Sequence, residues 1–163
     1  MNSAVEWNLL LCHGNKYYKI KDMDPNLTFT VDNMKSNKPD IVCDVFRSRI
    51  TRECRLFHRI AIMFCPMGIA HRRRSFFGLI DNIISKCIVV GGLFYTPDYF
   101  NLPSVDDSQS SRNEQNVTAT TLIADMFKRG FVYKSDAPIL RYGSGRQKGD
   151  QLHFIVFQYR GLN

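Results

Sequence analysis

Several features that would place a protein of this size in a class are missing from the sequence. Five cysteines are present, but no two of them form a CxxC pair, which excludes the common zinc-ribbon and thioredoxin-type patterns. The longest apolar runs, 60–65 and 87–94, have the length of strands and cannot cross a bilayer. The opening residues MNSAVEW lack the basic start of a signal peptide. These absences predict a cytoplasmic, intracellular protein with reduced thiols and no membrane association.

Sequence motifs whose residue spacing identifies a bound ligand are also missing. The chain has no GxGxxG, so a nicotinamide-dependent reductase is the least favoured enzyme class. Gly143-Ser144-Gly145-Arg146 lacks the Lys-Ser/Thr ending of a phosphate loop and is typical of a hairpin turn. Cys54 and His58 supply only two of the ligands that a zinc site needs, so no metal is predicted.

Length and charge limit what remains. At 163 residues the chain can build one hydrophobic core but not two comfortable ones, so a single domain over 1–163 is predicted. The formal net charge is +7, which favours polyanionic partners such as nucleic acid.

Two groups of side chains are candidates for contacts with nucleic acid. Arg72, Arg73 and Arg74 directly precede a predicted helix, where they could grip phosphates; a solvated basic turn is an equal alternative. Tyrosines near predicted strand ends could stack on a base, although packing at the rim of the fold is the commoner role of such residues. They are Tyr17, Tyr18, Tyr95 and Tyr99.

Apolar runs rich in β-branched residues predict a sheet. They lack the alternation of half-exposed strands and are typical of parallel strands buried on both faces. Five such runs occur, at 7–12, 27–31, 41–43, 59–65 and 87–95.

Helical spacing and a closing hairpin complete the predicted fold. Apolar residues recur at helical spacing over 75–86 and 118–129, and Gly130 is the expected stop of the second helix. The chain then offers two strands, 130–134 and 152–159, joined by a Gly- and Pro-rich connection. The predicted fold class is α/β: a Rossmann-like, doubly wound sheet, mostly parallel, with a C-terminal antiparallel hairpin strand.

A polar stretch separates the fifth strand from the second helix. Residues 98–117 are rich in Ser, Asp and Asn and show no periodicity. Loops of this length in compact domains are usually lids or disordered segments, so a mobile loop or lid is predicted there.

Polar residues follow the first three predicted strands. In a doubly wound sheet, ligands bind at the carboxyl ends of the strands where the strand order reverses. Gly14, in the sequence HGN after the first strand, would let the backbone approach a ligand closely. Asp32 closes the second strand and Asp44 the third, and a carboxylate can accept two hydrogen bonds from a ribose diol. This pattern favours a nucleotide-type ligand; the alternatives are a plain turn at Gly14 and helix N-caps at the two acids.

The order of these segments resembles the class I S-adenosylmethionine-dependent methyltransferases over most of the chain, from about residue 8 to residue 159. The stretch TVDNMKSNKPDIVCDV is similar to the "vDidp…kPDivaDv" segment of that family, and IVVGGLFYTP resembles its "LkpGGlfi" strand. The closing hairpin is similar to the antiparallel strand that ends the family's fold.

The resemblance implies an S-adenosylmethionine site. Gly14 and its neighbours would face the methionine part of the cofactor, Asp32 would hold the ribose, and Asp44 with Val45 would border the adenine. Candidate catalytic residues at the methyl-transfer pocket are Cys65, Pro66 and Met67, together with His13, for which a turn residue is the alternative to a general base. The implied cofactor-binding set is Cys12, His13, Gly14, Asn15, Asp32, Asn33, Asp44, Val45 and Cys65.

Two departures from the family pattern keep two functions open. The first loop reads HGNKY where the family usually carries GxGxG, and the Asn/Asp-Pro-Pro-Tyr motif of amino-group methyltransferases is absent. The first function is a small methyltransferase acting on an unidentified acceptor, either nucleic acid or protein. The second is a catalytically inactive methyltransferase-like module that binds RNA or an acidic protein.

Overall fold

The computed structural model describes residues 5–12, 17–20, 22–44, 56–62, 73–97, 119–142 and 151–162, and the structural statements that follow concern these residues. The predicted lid at 98–117 lies outside them. No helix in the described ranges is both long enough and apolar enough to span a membrane.

Eight strands form one mixed sheet with the order β2-β7-β8-β6-β5-β1-β3-β4. The strands are β1 (Asn8–Leu11), β2 (Tyr17–Lys19), β3 (Thr28–Asp32), β4 (Ile41–Val42), β5 (Phe57–Ile62), β6 (Ile88–Pro97), β7 (Phe131–Tyr142) and β8 (Gln151–Tyr159).

The five strands predicted to be parallel lie side by side. β1 pairs in parallel with β3 on one side and with β5 on the other. β3 continues to β4, and β5 continues to β6, again in parallel. The chain therefore winds outward in both directions from β1, which confirms the predicted α/β class and places the reversal of strand order at the carboxyl end of β1.

The predicted closing hairpin is also confirmed, but it is longer than the sequence indicated. β8 pairs antiparallel with β6 and with β7. The prediction that strand β7 ends near residue 134 is wrong, because the strand continues through Pro138, which pairs with His153. Proline is compatible with this position because β2 bonds to β7 only from Leu140 to Tyr142, so that β7 behaves as an edge strand at Pro138.

The hairpin projects beyond the carboxyl edge of the parallel strands. Pro97, the last residue of β6, pairs with Phe154. Beyond that point, residues 138–140 pair with residues 151–153, and β7 continues to Tyr142; residues 138–142 and 151–153 are called the arm. β2, which the sequence did not predict as a strand, pairs antiparallel with the arm through Tyr17↔Tyr142, Tyr18↔Arg141 and Lys19↔Leu140.

Helices cover one face of the sheet. The first predicted helix is confirmed as α1 (Arg73–Leu79), a π-helical turn (Ile80–Ile84) and α2 (Ser85–Cys87), and the second as α3 (Ala119–Lys128). Their apolar faces pack against alternate residues of the central strands, which explains the helical spacing seen in the sequence. The fully buried side chains of this core include Leu11, Ile60, Phe94 and Phe157 from the sheet and Ile80, Ile84, Leu122 and Met126 from the helical segments.

Arg129, at the end of α3, contacts α1 and the π-helical turn on the same face. Its Nε lies 2.9 Å from Asp81 Oδ1 in the π-helical turn, and its guanidinium lies 4.2 Å from the centre of the Phe77 ring in α1. Gly130 follows with φ +86°, and a Cβ there would lie 2.6 Å from the carbonyl oxygen of Gly161. Gly130 is therefore the predicted helix stop and also the point where the helix end contacts the end of the chain.

The opposite face is closed differently. The connection from β2 to β3 forms a turn in which the Met23 N–H donates to the Ile20 carbonyl over 3.0 Å, followed by a 3₁₀ turn at Pro25–Leu27. Residues 20 and 22–27, called the return segment, contribute no α-helix. Ile20 and Met23 pack in a small cluster with Leu10, Ala61, Tyr95 and Val156.

Candidate functional site

The carboxyl edge at the strand reversal brings three of the predicted site residues together. Leu11, the last residue of β1, is in register with Val31 in β3, and Asp32 is in register with Val42 in β4. Cys12, Asp32 and Asp44 therefore leave or end neighbouring strands at one edge of the sheet. This is the place where doubly wound sheets bind their ligands.

Asp32 is the best-defined polar group of this edge. It is buried, with 6% of its surface exposed. Its Oδ1 accepts hydrogen bonds from the Met34 N–H (2.8 Å) and from Asn37 Nδ2 (3.1 Å). Its backbone carbonyl accepts from the Cys43 N–H over 2.9 Å. The carboxylate is consequently held in one orientation, and rotation about its terminal torsion is restricted.

The connection from β3 to β4 is a tight structure that keeps Asp32 in place. It contains a 3₁₀ turn at Lys35–Asn37, which ends at Lys38 in the left-handed conformation with φ +51°. Asp40 anchors the far end to β3, because its Oδ2 accepts from the Thr30 N–H (2.8 Å) and Oγ1 (3.2 Å). A 3₁₀ turn rather than an α-helix follows Asp32, and the Asp32 carboxylate accepts the backbone N–H of Met34, the N-cap residue of that turn.

Cys12 has an unusual backbone conformation. Its φ is +56°, in the left-handed region that glycine adopts freely and other residues rarely do. Cys12 and Gly14 have the spacing of the first two glycines in GxGxG, so the chain bends here as a glycine would while carrying a side chain. Sequence analysis did not predict this left-handed conformation, because residue type indicates such a conformation only where the residue is glycine.

The two half-buried thiols of this edge do not form a disulfide. Cys12 and Cys43 are both in the thiol form, and they leave strands β1 and β4, which are separated by β3. Two strand spacings are about 10 Å, which exceeds the Cα separation that a disulfide tolerates. The described residues also contain no group of three side chains that could hold a metal ion.

The remaining predicted site residues lie largely outside the described residues. Asn33 is exposed, and Asp44 is half-buried. Arg73 and Arg74 lie in the first turn of α1. The residues outside the described ranges are His13, Gly14, Asn15, Val45, Cys65, Pro66, Met67 and Arg72. Their functional roles stay predictions.

A second polar group lies on the face that the return segment closes. Tyr95 is 4% exposed, so base stacking is not open to it. Burial raises the pKa of Tyr95, and the charge of Asp22 raises this pKa further, while Arg59 lowers it through its charge and a hydrogen bond. Arg59 also pairs with Glu6 over 3.1 Å. Sequence reasoning did not identify this group, because its members come from segments that are distant in the chain.

Comparison with known proteins gives matches among solved structures, whereas no family model and no curated protein matches the chain. The N-methyltransferase NodS from Bradyrhizobium japonicum WM9 superimposes with a TM-score of 0.55 at 12% identity, over 96% of this chain and 86% of NodS. An rRNA methylase from Streptococcus thermophilus gives 0.50 at 11% identity, over 94% and 88% of the two chains.

A third structure was solved with ligands bound. It is the 1,6-didemethyltoxoflavin-N1-methyltransferase of Burkholderia thailandensis, in complex with 1,6-didemethyltoxoflavin and S-adenosylhomocysteine. It gives a TM-score of 0.54 at 12% identity, over 94% of this chain and 71% of the enzyme. These likenesses confirm that the chain has the methyltransferase-like fold that its sequence predicted.

Proposed function

We propose that the chain binds S-adenosylmethionine at the carboxyl edge of β1, β3 and β4 and transfers its methyl group to an acceptor. The observation that carries this proposal is the buried, oriented carboxylate of Asp32 beside the strand reversal. A fixed carboxylate at this point suits a ribose diol, because it can accept a hydrogen bond from each hydroxyl. The fold shared with three methyltransferases adds support.

The other site residues follow from this placement. Cys12 begins the loop through Gly14 that would pass the methionine part of the cofactor. Asp44 and Val45, after β4, would border the adenine. The left-handed backbone at Cys12 fits this role, because it turns the chain sharply at the point where a ligand must approach.

Methyl transfer from S-adenosylmethionine requires few catalytic groups from the protein. When bound, the cofactor supplies an activated methyl group on its sulfonium. The chain's own residues then need to bind and orient the two reactants and to exclude water, and such positioning supplies a large part of the rate of a two-substrate reaction. The lack of a described acid–base pair at this edge is compatible with methyl transfer, and the pocket residues Cys65, Pro66 and Met67 would orient the acceptor.

We propose nucleic acid as the acceptor class. β2 follows the Cys12 loop directly and pairs with the arm beyond the carboxyl edge. This backbone pairing brings aromatic and basic residues of the sequence together at the β2 edge of the sheet, and such residues are common in proteins that bind single strands through stacking and phosphate contacts. They are Tyr17, Tyr18, Lys19, Arg141 and Tyr142. The net charge of +7 favours the same class, and Arg72, Arg73 and Arg74 would add phosphate contacts.

The second candidate function is a binding module that has lost the cofactor. The specific observation in its favour is Cys12, where a side chain occupies a glycine-like turn of the loop that should cradle the ligand. Such a module would retain binding of RNA or of an acidic protein without any affinity for S-adenosylmethionine. An intracellular location fits either function and stays a prediction.

Thermal unfolding with and without S-adenosylmethionine and S-adenosylhomocysteine separates the two functions. A ligand at a hundredfold excess over its Kd adds about 2.7 kcal/mol of stability to the folded state. Transfer of a labelled methyl group to single-stranded RNA, to DNA and to a basic and an acidic protein then identifies the acceptor. RNA binding with no response to either cofactor would support the inactive module instead.

A further inference from the structure

We infer that Asn37 is a positioning residue for the proposed cofactor site, acting by fixing the carboxylate of Asp32. This inference rests on the proposed function. The Asn37 side-chain amide donates from Nδ2 to Asp32 Oδ1 over 3.1 Å, and the Met34 N–H donates to the same oxygen over 2.8 Å. Neither Asn37 nor Met34 was singled out by the sequence.

The two hydrogen bonds act together on one oxygen. The terminal torsion of an aspartate is broad and permits the carboxylate plane to turn. Each donor that bonds to the carboxylate restricts that rotation further. The backbone N–H of Met34 supplies one of these donors whatever the side chains are, so Asn37 is a side chain whose replacement can loosen the restriction.

Orientation matters because a diol is a directional ligand. Two adjacent hydroxyls bind a carboxylate well only when its plane faces both of them. A carboxylate that is oriented before binding avoids the entropic cost of ordering it in the complex. Asn37 therefore acts on ligand affinity through Asp32 and needs no contact with the ligand itself.

The fold of the connection does not depend on this side chain. The 3₁₀ turn is closed by backbone hydrogen bonds from the Asn37 N–H to the Met34 carbonyl (3.1 Å) and from the Lys38 N–H to the Lys35 carbonyl (3.0 Å). The far end is held by Asp40, whose N–H donates to Thr30 Oγ1 over 3.0 Å and whose carboxylate accepts from Thr30. A change at Asn37 can thus alter the carboxylate while the loop persists.

The test is titration calorimetry of S-adenosylhomocysteine against wild type and three Asn37 variants. We expect Asn37→Ala to weaken binding about tenfold, which equals about 1.4 kcal/mol and lies in the range of one hydrogen bond to a charged group. Asn37→Asp has nearly the same shape but replaces a donor by a like charge, so its loss should be larger. Asn37→Ser keeps a donor and should lose less than Asn37→Ala.

Asp40→Ala is the matched control. It removes hydrogen bonds from the same connection but none from Asp32, so it should lower the unfolding midpoint and leave the Kd within about twofold. A merely structural role for Asn37 predicts the same behaviour for its variants: a lower midpoint and an unchanged Kd. That outcome, or equal affinity of Asn37→Asp and wild type, would overturn the inference.

The wild-type titration separates failure of the inference from failure of the proposed function. If the wild type binds neither S-adenosylmethionine nor S-adenosylhomocysteine, the proposed function is wrong and the inference falls with it. If the wild type binds and the variants bind equally well, only the role of Asn37 is wrong. The far-ultraviolet circular dichroism of each variant checks that a loss of affinity is not a loss of fold.

Discussion

The two faces of the sheet are closed by different means, and the difference shows where the stability of this fold resides. On one face, α1, the π-helical turn, α2 and α3 pack against the strands in a large aromatic and aliphatic core. On the other face, the described residues place only the return segment over a cluster of six buried side chains. Since hydrophobic stabilisation scales with the apolar area removed from water, the helical face should contribute more than the other face to the free energy of folding among the described residues.

Polar groups are buried on both sides of the sheet, since α3 contributes the buried Asp125 to the helical side. The face under the return segment contains the buried residues Asn8 and Tyr95 beside Arg59. Within the described part of the chain, Asn8 Oδ1 and Arg59 Nε are buried without a hydrogen-bond partner. Each such group costs about 1–3 kcal/mol unless water reaches it. The proposed site borders the helical core, against which Cys12 and Cys43 pack, while Asp32 is held by the connection from β3 to β4.

The largest expected effect comes from two adjacent leucines of β1 that point to opposite faces. Leu9 lies in the helical core and Leu10 in the small cluster, with exposed fractions of 1% and 8%. We expect Leu9→Ala to destabilise the protein by about 3–4 kcal/mol and Leu10→Ala by about 2 kcal/mol, because more neighbours lose contacts around Leu9. Urea unfolding measures both. Equal losses of unfolding free energy in the two variants would show that the two faces contribute equally to stability.

A smaller effect is expected at the end of α3. Gly130→Ala forces a left-handed conformation on alanine and drives its Cβ to within 2.6 Å of the Gly161 carbonyl oxygen. The expected cost exceeds about 1 kcal/mol. Gly78→Ala in α1 is the control, since no atom lies within 4 Å of its Cβ; it should stabilise by about 0.5–1 kcal/mol. If Gly130→Ala leaves the free energy of unfolding unchanged, the end of α3 is not held against Gly161.

The smallest expected effect is the pH dependence from Tyr95. Burial holds the pKa of Tyr95 above its ordinary value of 10.0 in the folded protein. The folded state then keeps this proton at a pH where the unfolded chain has lost it, so its contribution to stability is complete below about pH 10 and declines above it. Chemical unfolding from about pH 8.5 to about pH 11, a range that brackets the ordinary tyrosine pKa, should show a steeper decline for wild type than for Tyr95→Phe. If the unfolding free energies of wild type and Tyr95→Phe decline in parallel with pH, burial does not raise the pKa of Tyr95, and its phenol is in contact with water.

The sequence predicted the parts of the fold that bury continuous apolar runs. The five parallel strands and both helices follow from such runs and from helical spacing, as at Ile60 and Leu122. β2 was missed because three residues show no periodicity, and its pairing with Leu140–Tyr142 is distant in the chain. The length of β7 was missed because Pro138 and the glycines after it are typical of turns.

The site was predictable only in part, for a related reason. Asp32 and Asp44 stood out because each follows an apolar run of the sequence. Asn37 did not, since an asparagine in a polar stretch looks like any turn residue, and its contact with Asp32 exists only once the 3₁₀ turn has formed. The glycine-like bend at Cys12 depends on a backbone angle that the residue type does not reveal.

Titration of S-adenosylhomocysteine into wild type and Asp32→Asn tests the central claim most directly, with Asp40→Asn as the control in the same connection. The isosteric change removes the charge of Asp32. Because each charge-assisted hydrogen bond contributes about 1.5–3 kcal/mol, two of them should cost more than about a hundredfold in affinity. The account predicts binding by wild type and Asp40→Asn and no measurable heat for Asp32→Asn. Equal affinity of Asp32→Asn and wild type, or no binding by wild type, would contradict it.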